Sequence, residues 1–393
     1  MKRILPTIVI AQFFCTSVWF AGNAIMGDIA KQLHLEPAYL GHLTSAVQLG
    51  FITGTLIFAI LSIADRFSPV KVFFSCAIIA AVVNLGASMT GIDAAMLILC
   101  RLVTGFFLAG IYPVGMKIAS DHYQQGLGRS LGFLVGALVL GTAFPHLLKS
   151  MTAALPWKYV IYSTSVLSVI GGCAMLLLVP DGPNRKQGQR LNFAGFLSGF
   201  RDKDFRAAAL GYFGHMWELY AFWVFVPVIL TAYKVHYPAL EFNIPLLSFL
   251  IIAVGGVSCV LSGVLSQRFG VKRMATLALS ISCLCCIISP VLLFNNATVA
   301  FVVFLFIWSM AVIADSPLFS TLVAQNAPIA TKGTSLTIVN CIGFSITIIS
   351  IQLINNLRTA ANAQYIYMLL AIGPVLGLLA LMSGKKIIKT DIS

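Results

Sequence analysis

Charge is what this sequence has least of. Of 393 residues, 12 are Asp or Glu and 9% are charged in all, against about 25% in ordinary soluble domains. So little charge excludes a water-facing surface for a chain this long. The mean hydropathy of +0.95 and the 59% share of hydrophobic residues belong to a chain whose outside is apolar too. Also missing are a phosphate-binding glycine loop, a metal-ligand constellation and a nucleophile elbow. Without them no acid, base and nucleophile set can be assembled for an enzyme, no cofactor or metal is implied, and ATP-driven work would need a separate subunit. The nine cysteines, Cys15, Cys76, Cys100, Cys173, Cys259, Cys283, Cys285, Cys286 and Cys341, sit inside apolar runs rather than at paired spacings in polar loops. That placement excludes a disulfide framework or zinc site and makes them small packing residues.

What the sequence has instead is apolar runs of the ~20 residues that cross a ~30 Å hydrocarbon core. About twelve are present, with boundaries good to a few residues: 4–27, 39–63, 70–90, 94–119, 129–149, 157–179, 207–232, 245–266, 273–294, 299–324, 334–355 and 364–383. Their length excludes a β-barrel, whose ~10-residue strands alternate with period two. Lys2 and Arg3 precede the first run, but it is too long for a cleaved signal and lacks a small-residue cleavage site. The expected fold is therefore all-α, a polytopic membrane protein of twelve helices.

The net charge of +13 points to topology rather than to nucleic acid. Most of the basic residues, among them Lys2, Arg3, Arg66, Lys71, Lys117, Arg129, Arg185, Arg268 and Lys332, fall on the side that carries both termini. The other side receives Lys31, Lys149, Lys158, Lys234 and Arg358, and Arg101 lies within a helix. This is the positive-inside pattern for cytoplasmic termini, in the inner membrane if the source is bacterial. The longest polar connection, residues 181–206, divides the chain into two six-helix bundles, 1–180 and 207–393, and reads as a cytoplasmic linker. Within it, 193–200 is apolar enough to lie along the membrane surface.

The two halves echo each other after their second helix. Ala64-Asp65-Arg66-Phe67-Ser68-Pro69-Val70-Lys71 matches Ser266-Gln267-Arg268-Phe269-Gly270-Val271-Lys272-Arg273. A repeat of this size places a substrate at the interface between halves. With these loops, and with Arg101-Leu102-Val103-Thr104-Gly105 and Gly110 in helix four, the chain resembles the major facilitator superfamily over its whole length. It departs from the family pattern at Leu61 and Ser68, where glycines are usual, and at Gln267, which replaces an acid. Helix five carries Gly132, Gly136 and Gly141 with a proline only at Pro145, unlike the Gly-Pro signature of the family's drug and proton antiporters.

The resemblance implies a fold in which helices one, four, seven and ten line a central cavity. The costly ionisable residues of the spans lie on those helices: Arg101 on four, His215 and Glu218 on seven, Asp315 on ten. Glu218, His215 and Asp315 are the candidate proton-coupling groups. His215 and Glu218 are three apart and can interact across one turn; the bland alternative is neutral or hydrogen-bonded packing groups. Asp315 precedes Ser316-Pro317, where a proline kinks the helix; its alternative is an Asp that satisfies distorted backbone. Arg101 is a fixed charge for an anionic substrate or, alternatively, for carbonyls of the bundle.

Helix one adds Gln12, Thr16, Trp19 and Asn23 at spacings that put them on one face. Together with Arg101, Tyr112, Trp217, Tyr220 and Trp223, the residues Gln12, Trp19 and Asn23 form the candidate substrate-binding set. Asp65, Arg66, Lys71, Arg129 and Arg268 are candidate gating residues: Asp65, Arg66, Lys71 and Arg129 can form ion pairs that latch the outward-open state, with topology alone as the alternative for the basic ones. The expected function is secondary transport of a small polar or anionic solute by alternating access, as a proton-coupled symporter. The alternatives are a proton-antiport exporter and a receptor or scaffold without transport. The expected partners are a small-molecule substrate and the lipid bilayer, with the proton as coupling ion and a monomeric chain.

Overall fold

The computed structural model describes residues 3–36, 39–123, 127–152, 154–185, 196–197, 199–328 and 332–383, with the side chains of 127–129 excepted. Among them are helices and turns without strands. Eleven stretches are long and apolar enough to cross a membrane. They are span 2 (Tyr39–Ile60), span 3 (Pro69–Gly86), span 4 (Ala94–His122), span 5 (Leu127–Met151), span 6 (Lys158–Leu178) and span 7 (Lys203–His236), followed by span 8 (Ile244–Phe269), span 9 (Val271–Leu292), span 10 (Thr298–Asn326), span 11 (Lys332–Leu357) and span 12 (Ile366–Ser383). Span 1 is made of three shorter pieces, Ile4–Thr16, Ala21–Ala24 and Met26–Leu33. Val82, Leu177, Val291 and Met382 stand exposed on the outside, as a lipid-facing surface requires. The chain is a multi-pass membrane protein of twelve spans.

Three spans of interest are broken. Span 4 pauses at residues 109–111 before Tyr112 and Pro113, and span 10 pauses at Asp315 before Ser316 and Pro317. Each proline lacks an N–H and crowds the carbonyl four residues back, which favours a kink or break. Here Pro113 and Pro317 sit in the first turn of the second piece, whereas Pro145, Pro227 and Pro290 lie inside unbroken helices. The two breaks fall at matching places in the two halves. Span 1 breaks without a proline: Thr16 Oγ1 donates to Gln12 O (2.8 Å) and Ser17 Oγ to Phe14 O (2.7 Å), the local back-bonding that bends helices. This corrects the expectation of one continuous helix over 4–27. The stripe from Gln12 to Asn23 therefore crosses a break, and its residues do not share one face.

Spans 2 and 4 pack through glycine. A Cβ on Gly105 would overlap the carbonyl oxygen of Val47, and one on Gly50 that of Leu102. In lipid, such close backbone approach replaces the hydrophobic drive between helices. Gly105→Val is expected to force spans 2 and 4 apart and cost more than ~3 kcal/mol, as severe overpacking does. A sharp fall in monodisperse protein on detergent size-exclusion chromatography would register it. Of the helix-five glycines, Gly136 meets the backbone of Gly256 in span 8 and Gly141 meets Thr16 and Phe13 in span 1, whereas Gly132 has open space beside it.

Contacts run mostly within each set of six spans, and the sets meet where span 5 lies on span 8 and span 2 on span 11. At the end away from the termini, Asn243 Nδ2 donates to Ser150 Oγ and Gln352 Nε2 to Ser45 Oγ, both at 2.8 Å. Residues 186–195 and 198 of the linker lie outside the described residues. Its described part differs from a surface segment: Phe196 is buried and packs edge-on against Phe200 and Phe205 at the start of span 7.

Candidate functional site

Span 7 organises the buried chemistry of the second half. Glu218 is fully buried, and its Oε1 accepts three hydrogen bonds: Ser282 Oγ at 2.6 Å, Trp308 Nε1 at 2.6 Å and Cys286 Sγ at 3.1 Å. These donors come from spans 9 and 10, so the carboxyl ties three helices together. Its Oε2 is buried without a partner. His215 turns to span 10 instead, with Nδ1 2.8 Å from Asp315 Oδ1 and both side chains essentially inaccessible. This corrects the expected pairing of His215 with Glu218 across one turn. Span 7 runs antiparallel to span 10, so residues 215 and 218 meet residues 315 and 308, seven apart and on one face of span 10. The Asp315 main chain at the helix break still accepts from Phe319 N (2.8 Å).

Arg101 has a different place from the one expected. Its guanidinium is 1% exposed and donates to Val18 O (3.0 Å), to Trp19 O and to Asn84 Oδ1 (3.3 Å). The break in span 1 frees those two carbonyls, and in a membrane interior free carbonyls must find a donor. Arg101 clasps the break rather than facing a solute. Sequence alone could not name these partners, because two are main-chain carbonyls and the third, Asn84, lies on another span.

Between the halves lies an aromatic layer. Trp19 stacks on Tyr220 (5.9 Å between ring centroids) and touches Phe344 (5.8 Å), which in turn meets Phe51 (4.7 Å). Trp223 stands edge-on to Phe20 (6.4 Å). Trp19 and Phe51 come from the first half, Tyr220 and Phe344 from the second, so the layer joins the two. The indole N–H groups of Trp19 and Trp223 are buried without partners, as is the whole amide of Gln12 beside Gly115. Asn23 Nδ2 donates to Thr44 Oγ1 (2.7 Å). Tyr112 opens the second piece of span 4 and is only partly buried. Trp217 does not join the group: its Nε1 donates to Leu369 O (3.0 Å) in span 12.

One helical turn beyond this layer, away from the termini, is a 460 Å³ cavity lined by Asn23, His146, Val224, Val228, Ser248 and Arg358 among others. His146 and Arg358 were not expected there. A lone histidine after Pro145 and a cation just past the last turn of span 11 carry no pattern that marks them in sequence.

At the terminal end, the loop between spans 2 and 3 is held by ion pairs within the first half. Lys117 Nζ lies 2.7 Å from Asp65 Oδ1 and 3.7 Å from Asp121 Oδ2. Arg185 donates to the carbonyls of Asp65 (2.9 Å) and Phe67 (2.6 Å). The ion-pair partner of Asp65 is thus Lys117, which was not among the candidate gating residues. Arg66 lies over the ring of Phe67, Arg268 over that of Phe269, and Lys71 is exposed; the side chain of Arg129 lies outside the described residues. Ser68, where a glycine was usual, caps span 3 by accepting from Lys71 N and donates to Asp181 (2.7 Å). In the second copy the matching turn is made by Gly270 at φ 90°. Because Lys117 and Asp65 are about a quarter exposed, a double-mutant cycle with Lys117→Met and Asp65→Asn is expected to give a coupling of only about 0.5–1 kcal/mol in thermal melts.

The Major Facilitator Superfamily sequence profile matches residues 8–351. The chain belongs to the major facilitator superfamily. As a member of it, the chain is a membrane transporter and not an enzyme. Solved structures with the same fold include a mutant of the nucleoside transporter NupG (TM-score 0.73, 16% identity, covering 97% of this chain and 100% of that one). A bacterial homologue of the human lysosomal transporter Spinster, inward-facing and unoccupied, is similar too (0.73, 14%, 97% of each). So is the human organic anion transporter MFSD10 or TETRAN (0.75, 14%, 97% and 99%). None of the curated proteins matches this chain by sequence. At such identities the likeness among these facilitators is one of fold.

Proposed function

We propose that this facilitator couples movement of a small polar or anionic solute to movement of a proton, as a symporter with both termini in the cytoplasm. The observation that carries the reading is the buried His215–Asp315 contact at the break of span 10, with the unpartnered Oε2 of Glu218 one turn along span 7. Ionisable groups held this deep in a bilayer are costly. They are tolerable when protons can be exchanged as the surrounding helices move, and a broken helix is an element able to move. His215 and Asp315, 2.8 Å apart, can share one proton more or less between them. Glu218, braced by three donors, would sense the same movement of spans 7, 9 and 10.

Alternating access requires the halves to rock about a closed midplane. The aromatic layer of Trp19, Phe51, Tyr220 and Phe344 is the natural seal, with Gln12 and the indole N–H groups of Trp19 and Trp223 as the polar atoms left to meet a solute. Proteoliposomes with a trapped pH-sensitive dye test the reading. Addition of a transported solute outside is expected to acidify the lumen in wild type, and not in His215→Gln. Lumenal alkalinisation would make the protein an antiporter, and solute counterflow without any proton movement would remove the coupling.

A further inference from the structure

The geometry points to the cavity beyond the aromatic layer as a recognition vestibule for organic anions with a single acidic head and an apolar body, held by Arg358 and His146. This deepens the proposed function by naming the class of solute, and so rests on that reading. Three observations carry it. Arg358 Nε and His146 Nε2 are both buried without hydrogen-bond partners, and His146 is 2% exposed. Both residues line the same cavity, together with Asn23, whose Oδ1 is also unpartnered. The remaining walls are apolar, including Met26, Leu40, Val224, Pro227, Val228 and Ile244.

A buried donor without a partner costs free energy, about 1–3 kcal/mol and more for a charged group. An unpaired guanidinium N–H and an imidazole nitrogen free to take the donor tautomer, both lining one cavity, make a place where an acceptor is favoured. Arg358 follows Leu357, the last residue of span 11. The negative end of that helix favours a cation there, which helps hold the guanidinium in place. Among the described ion pairs none involves Arg358. The two lysines near the mouth differ: Lys149 is engaged with Asp28 at 2.6 Å, and Lys234 shares the rim with Glu241. The uncompensated positive charge of the vestibule is thus that of Arg358. A guanidinium binds a carboxylate or sulfonate through paired N–H donors, the neutral imidazole of His146 can add a third, and a cavity of 460 Å³ falls in the size range of sites for drug-sized molecules. Such a vestibule selects an anion before the halves rock, while the His215–Asp315 contact lies deeper, on the other side of the aromatic layer.

The test is the melting temperature of purified full-length protein at matched ionic strength, with benzenesulfonate, benzoate or the neutral analogue benzamide. One or both anions are expected to raise it by several degrees through preferential binding to the folded state, and benzamide to leave it unchanged. The anion shift is expected to vanish in Arg358→Gln, shrink in His146→Gln and in Arg358→Lys, which keeps the charge but loses the paired donors, and persist in Asp315→Asn. An Arg358→Gln protein that melts like wild type without ligand separates lost binding from lost folding. No shift with either anion, an equal shift with benzamide, or a shift retained in Arg358→Gln overturns the assignment. If the vestibule fails while a solute still drives protons in liposomes, the coupling stands. If the anion shift is confirmed but no proton moves, the coupling alone falls.

Discussion

Replacing Asp315 by Asn is expected to reduce solute-driven proton movement in proteoliposomes to the level of protein-free vesicles, while solute counterflow persists. Asn has the shape of Asp and can still accept from His215 at the 2.8 Å contact, so the break in span 10 keeps its geometry. What it loses is the carboxyl that shares a proton with the imidazole. Replacing the carboxyl by an amide at this buried contact is expected to cost about 1–2 kcal/mol, against the 5–15 kcal/mol typical of whole domains. The variant should therefore fold, and its phenotype should be read as uncoupling. Glu218→Gln gives a useful contrast. Its Oε1 is an acceptor for three donors, and a Gln carbonyl oxygen can take that role, so spans 7, 9 and 10 remain joined. If Asp315→Asn still moves protons with the solute, the pair is a packing contact and the coupling group lies elsewhere.

Arg101→Ala is expected to have a large effect of another kind, on folding. It would leave the carbonyls of Val18 and Trp19 and the amide oxygen of Asn84 without their donor in a buried setting, and open a void where a fully buried side chain stood. Each buried acceptor left unsatisfied costs about 1–3 kcal/mol, and the void adds to that. The expected result is little folded protein in detergent and a strongly lowered melting temperature in what remains. Arg101→Lys rescues only in part, since a single ammonium lacks the planar fork that spans separate acceptors. A melting temperature within a degree or two of wild type for Arg101→Ala would show that the break in span 1 is stable without its clasp.

The spans were legible because lipid demands long apolar helices with their main chain satisfied internally. Asp315-Ser316-Pro317 announced its break through the proline, and Tyr112-Pro113 makes the matching one. The break of span 1 was not legible, because Thr16 and Ser17 bend a helix only when their hydroxyls choose main-chain acceptors. Residue types within the site were also legible. His215, Glu218, Asp315 and Arg101 stood out as charge where charge is costly. Their partners did not, because a spacing of three says that two side chains are neighbours and not that they point at each other. Trp217 shows the same limit: it is one residue from Glu218, yet the helix turns it outward to the main chain of Leu369. Lys117 was not legible as the partner of Asp65, because it is distant in sequence and had a sufficient reason to exist as a topology charge.

The central claim is that a proton gradient does work on a solute through this fold. It is tested most directly by uptake of a labelled, poorly permeant solute into wild-type proteoliposomes, with the membrane potential clamped to zero and the outside made more acidic than the lumen. The account predicts accumulation above the external concentration, collapsing when a protonophore is added. Uptake that stops at equal concentrations with and without the gradient would contradict it and leave a facilitator whose buried His215, Glu218 and Asp315 serve the fold alone.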